Sequence, residues 1–163
     1  MDVAALILWI LTAGGGFFLL GTWLAKGGAR PGGPGSHFPQ PLIFGHFLLA
    51  AVGLVLWIAY VATDSEGTGW VAFALLALVA LLGFTMFARW IPTYRGMRSP
   101  AAPGPATATA GGGTSSVATA QATTTFAGPA ERHFPLPVVV GHGLLAATTL
   151  VLVLLTLAGV GGS

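Results

Sequence analysis

The sequence predicts an all-α integral membrane protein, a four-transmembrane-helix bundle built from two duplicated helix pairs in parallel repeat. Three observations predict it. Apolar residues make up 55% of the 163 residues and charged residues only 6%. The chain contains four apolar runs of the ~20 residues that a bilayer core requires. A fifteen-residue stretch also occurs twice, HFPQPLIFGHFLLAA at 37–51 and HFPLPVVVGHGLLAA at 133–147, with ten identities at a constant offset of 96.

The first span is expected over 3–25, ending at Lys26. It begins Met1-Asp2, without the basic n-region of a signal peptide, and its apolar core is too long for one, so a retained helix is expected. Gly14, Gly15, Gly16 and Gly21 lower its helix propensity but let a neighbouring helix or a flat ligand approach the backbone. A Gly- and Pro-rich loop follows, and then the first motif copy. Pro39 and Pro41 suit the start of a helix and not its interior, which places the second span at about 41–62, with His37 in the interfacial loop and His46 inside the bilayer. The short link TDSEGTG forces an antiparallel third span at about 70–91, with Trp70 and Trp90 at its two interfaces. A stretch rich in Ala, Thr, Gly, Ser and Pro is expected to be a disordered loop over 99–129, because it cannot bury enough surface to offset its ordering entropy. The second motif copy then opens the fourth span at about 136–158.

The repeat extends beyond the motif. Gly16-Phe17 and Trp23 of the first span match Gly83-Phe84 and Trp90 of the third. The chain therefore divides into a first helix-pair repeat, 1–63, and a second, 64–163, the second carrying the long loop. Two crossings per unit give both copies one membrane orientation, related by an axis along the bilayer normal. Lys26, Arg30, Arg89, Arg95, Arg98 and Arg132 all fall on the side of the motif loops, and Asp2, Asp64 and Glu66 on the other. The positive-inside rule then puts the motif loops in the cytoplasm and the termini outside. An Ala, Gly and Pro bias with one lysine and no asparagine suggests a GC-rich bacterial genome and hence a bacterial inner membrane.

Several chemistries are excluded or disfavoured. The chain has no cysteine, so disulfides, iron-sulfur clusters and thiolate catalysis are out. The spans contain no carboxylate for a proton relay or cation pathway. No phosphate loop, nucleophile elbow or His-Glu-x-x-His pattern is present, and six scattered basic residues make no nucleic-acid footprint. An enzyme acting alone is not the expected class.

What remains is four histidines. In an up-down bundle the second and fourth spans are diagonal and run in one direction, with axes roughly 13 Å apart if neighbours are about 8 to 10 Å apart. His46 and His142, at matching depth, can then ligate one iron from opposite sides of a haem b, as cofactor-binding and iron-ligating residues. Gly45, Gly141 and the first-span glycines would make room for the macrocycle, and Arg89, Arg132 or Lys26 would pair with its propionates. His37 and His133, nearer the water, are candidates for a second haem, for hydrogen bonds to propionates, or for zinc or copper.

Four spans with paired membrane histidines are similar in plan to small b-type cytochromes of the b561 kind and to membrane anchors of redox complexes. That likeness implies a haem-binding electron-transfer subunit in the bilayer, with other membrane redox subunits or copies of itself as partners. Two other classes compete. In an accessory or structural subunit the histidines only pack and hydrogen-bond, and in a metal-binding or transport protein they hold a bare ion.

Overall fold

The computed structural model describes residues 1–30, 35–98 and 128–160. The described residues are helical and contain no strand. Four helices, α1 (Asp2–Ala25), α2 (Gln40–Thr63), α3 (Glu66–Arg98) and α4 (Leu136–Leu157), are joined near the end by a short 3-10 turn, Ala130–His133. All four are long and apolar enough to cross a membrane. The loop expected over 99–129 lies outside the described residues, apart from its last two positions.

The Pro-x-Pro signature does what its chemistry requires. Pro39 and Pro135 occupy the N-cap positions of α2 and α4, and Pro41 and Pro137 fall in the first turns, where a missing N–H costs nothing. α2 ends at Asp64, which takes a left-handed conformation at φ 51°; a short polar side chain tolerates this, and the chain reverses directly into α3. α3 starts earlier and ends later than its apolar run predicts. Glu66 in its first turn and Arg95 and Arg98 in its last match the helix dipole. Pro92 lies inside it, and the helix passes through, carrying Arg89 and Thr93 up beside the first motif loop.

α2 lies most extensively against α3, and α1 against α4. The α1–α2 and α3–α4 faces are smaller, while α1 and α3, like α2 and α4, are diagonal and their backbones do not approach closely among the described residues. The bundle is thus two tight pairs meeting along a looser seam. Two apolar clusters fill it. One, around Ala5, Trp9, Trp57, Ala72, Leu76 and Val153, lies toward the α2–α3 turn. The other, around Trp23, Phe38, Ile43, Trp90 and Ala130, lies at the motif end. Buried positions coincide in pairs: Ala5 with Ala72, Trp9 with Leu76, Thr12 with Val79 and Trp23 with Trp90 at an offset of 67, and Gly53 with Thr149 and Trp57 with Val153 at 96. Large apolar side chains cover the outside, Phe17 at 59% and Phe84 at 72% exposure among them. Such a surface is compatible with a lipid environment and costly in water.

Candidate functional site

His46 and His142 lie in the layer between the two apolar clusters, each six residues after the first residue of its helix. Equal depth on diagonal, parallel helices brings them together: the ring centroids are 6.4 Å apart, with 57° between the planes. One ring comes from the α2/α3 pair and the other from the α1/α4 pair, so they face each other across the seam.

Each imidazole rests on backbone. A Cβ at Gly16 would lie 3.1 Å from His142 Cε1, and one at Gly83 would lie 3.1 Å from His46 Cε1. Gly16 and Gly83 are equivalent positions in α1 and α3, so glycine is required at the same place in both halves for the same steric reason. Gly15 adds a second close approach, 3.5 Å to His142 Nδ1. Gly45 and Gly141, beside the histidines in sequence, would place a Cβ in open space, as would Gly14 and Gly21.

Hydrogen bonding distinguishes the two rings. His142 Nδ1 is 2.9 Å from the Thr12 carbonyl. A carbonyl only accepts, so Nδ1 carries the proton and Nε2 presents a lone pair. The Thr12 carbonyl can accept from a side chain because a C=O has two lone pairs, and the Thr12 hydroxyl bonds separately to the Leu8 carbonyl at 2.8 Å. On the other side the main chain at Val79, the counterpart of Thr12, lies alongside His46. Among the described residues, Nδ1 of His46 is buried without a hydrogen-bond partner. No hydrogen bond engages Nε2 of either ring among the described residues.

The shallow histidines are not brought together. Their neighbours meet instead, Phe38 stacking on Phe134 at 6.2 Å. His133 Nδ1 donates to the Ala130 carbonyl within its own 3-10 turn at 3.2 Å. His37 is held from three directions. Its backbone N–H donates to Glu131 Oε1 at 2.6 Å, its Nδ1 is 3.0 Å from that same oxygen and 3.0 Å from Thr93 Oγ1, and Arg89 Nε donates to its carbonyl at 2.9 Å. The Glu131 carboxylate is fully buried, and its Oε2 has no partner among the described residues. Its main-chain carbonyl accepts from Trp90 Nε1 at 3.2 Å.

Comparison with protein-family models, with curated proteins and with solved structures finds no match to this chain. The site therefore has to be read from its own chemistry. Metal–imidazole bonds run about 2 Å, and with each nitrogen about 1 Å from its ring centre, two imidazoles on opposite sides of one metal ion have centroids roughly 6 Å apart. The observed 6.4 Å matches that span. Among the described residues no group of three or more His, Cys, Asp or Glu converges on a metal position. A bare zinc ion, which takes at least three protein ligands, is thus poorly served. His46 and His142 would be the residues to hold an iron whose remaining ligands come from a macrocycle.

Of the expected propionate partners, Arg89 is tied to His37, and Arg132 folds back against Gly128. Glu131, Thr12 and Gly83 were not among the expected site residues. Glu131 carried a usable signal as the single acidic residue on the basic side of the chain. The Thr12 contact carried none, because a main-chain atom makes it.

Proposed function

We propose that the chain is a haem-binding subunit of a membrane electron-transfer system, with one haem b held between His46 and His142. The observation that carries the reading is the meeting of these two rings at 6.4 Å across the seam, each seated on a glycine of the opposite repeat. When bound, the haem supplies one-electron transfer. The rest is the work of the chain. The Thr12 carbonyl holds the proton on Nδ1 of His142, fixing the ring and raising the basicity of Nε2. Gly15, Gly16 and Gly83 allow both rings to sit deep. Apolar clusters on either side of the histidine layer exclude water and favour the less charged state of a bound centre.

A single haem is proposed, because Glu131 and Thr93 engage His37, and its own turn engages His133. The bundle is further proposed to be a duplicated helix pair, a reading supported by the repeated motif and by the paired buried positions. In this arrangement the tight contacts form between the copies and not within them. The side of the membrane follows the basic residues, giving cytoplasmic motif loops in a bacterial inner membrane.

Visible absorption spectra of the purified protein, oxidised and reduced, test the proposal. A Soret shift and an alpha band on reduction are expected, and a featureless spectrum after expression with ample haem rules the haem out. His46→Ala and His142→Ala should each abolish six-coordinate low-spin character, and survival of that character in both would mean the ligands lie elsewhere. A rival metal-binding role predicts stoichiometric zinc or copper in the haem-free protein. An accessory structural role predicts neither haem nor metal.

A further inference from the structure

The motif end carries a second site that the haem reading does not use. A cleft of ≈ 410 Å³ is lined by His37, Arg89, Pro92 and Thr93. We propose that it binds the phosphate of an anionic phospholipid. The inference rests on the chain spanning a membrane and not on the haem.

The side chains are built for an anion. Arg89 is anchored by Nε on the His37 carbonyl at 2.9 Å. Its terminal nitrogens meet no acceptor among the described residues, and a planar fork of this kind binds phosphate or carboxylate oxygens in pairs. Thr93 lies one helical turn further along α3 and adds a hydroxyl. His37 stands with its side chain 61% exposed and its Nδ1 on the buried Glu131 carboxylate, which leaves Nε2 for the cleft. Arg89 supplies the positive charge that the single negative charge of a phosphodiester calls for.

Position selects the source. Arg89 and Trp90 close the apolar run of α3, and basic residues at that depth between transmembrane helices meet lipid headgroups. Glu131 and Arg89 also explain why the cleft is preformed. Together they clamp the backbone of His37 from both sides, and the Ala130 N–H bonds to the Gly35 carbonyl at 3.2 Å, so ordering the site costs little when the ligand arrives.

The test is native mass spectrometry of the full chain released from nanodiscs made with phosphatidylglycerol or with phosphatidylcholine. One phosphatidylglycerol per chain should be retained in preference to phosphatidylcholine. Arg89→Gln should lower that retention at least tenfold and Arg89→Lys by an intermediate amount, with Arg132→Gln, outside the cleft, as a control that retains it. Equal retention of the two lipids, or retention unchanged in both Arg89 variants, overturns the proposal. Millimolar inorganic phosphate should not displace the lipid; displacement would make this a site for a free anion. The His46→Ala/His142→Ala chain, which lacks the haem ligands, should retain the lipid equally. Loss there would tie the cleft to the haem and overturn an independent lipid site, whereas failure to bind haem leaves the lipid measurement unaffected.

Discussion

The deep and shallow histidine pairs begin from the same repeated stretch and end in different structures. His46 and His142 converge, each on a glycine of the neighbouring helix, Gly83 and Gly16. His37 and His133 part, one to a buried carboxylate and the other to its own turn. Inside the bundle a side chain must fit against a fixed backbone, and both copies face the same geometry. At the motif end, one residue with a carboxyl group redirects everything around it. Glu131 is that residue: its counterpart at the offset of 96 is Gly35, which has no side chain to offer.

Removing Glu131 should therefore damage the shallow region most. Glu131→Ala leaves the His37 N–H and ring without their acceptor and opens a cavity in a fully buried position, at a cost of roughly 3 kcal/mol. Glu131→Gln keeps an acceptor oxygen and should cost about half as much. Thermal unfolding in detergent micelles, followed by circular dichroism, measures both. Equal and negligible losses would mean that the carboxylate is not what separates the two shallow histidines.

Next in size are the glycines under the deep pair. Gly16→Ala and Gly83→Ala each bring a methyl to 3.1 Å from an imidazole carbon, closer than packing tolerates without a shift. Each should destabilise by about 1–2 kcal/mol, and the two losses should match. Gly45→Ala and Gly141→Ala meet nothing within 4 Å and should gain up to about 1 kcal/mol from helix propensity. Four melting curves decide the matter. A loss at Gly16 without one at Gly83 would break the equivalence of the two halves.

These contrasts show what the sequence discloses. Pro-x-Pro marks the starts of α2 and α4, because proline chemistry acts locally. The facing of His46 and His142 is legible from equal depth on alternate helices of an up-down bundle. Of the glycines under the rings, Gly16 is legible within the first-span cluster and Gly83 is not: Gly45 and Gly141 stand beside the histidines in sequence, yet the surfaces the rings touch are Gly16 and Gly83, across the helix interface. The run of α3 through Pro92 was hidden as well, since whether a helix survives a proline depends on what packs around it.

Smaller effects test the shallow pair. His133 is exposed and, among the described residues, bonded only within its turn, so His133→Ala should change stability by no more than about 0.5 kcal/mol. His37→Ala loses a ring held by both Glu131 and Thr93 and leaves the buried carboxylate short of a partner. It should cost distinctly more, about 1–2 kcal/mol. Equal responses in the same melting assay would mean that the two shallow histidines have not diverged in role.

The smallest expected effect is the most specific. Thr12 holds His142 through its carbonyl, and its hydroxyl is satisfied on Leu8 one turn back. Thr12→Val removes only the local bond, and the change should lie within about 0.5 kcal/mol. The environment of His142, read by the NMR shifts of its ring or by the spectrum of any bound haem, should not move. A clear shift would show that the hydroxyl takes part. An unchanged ring would show that the contact is owed to backbone position alone, which explains how the equivalent place in α3 can carry a valine, Val79, and still lie alongside His46. The two halves could then exchange side chains at this place while the geometry that presents the histidines stayed the same.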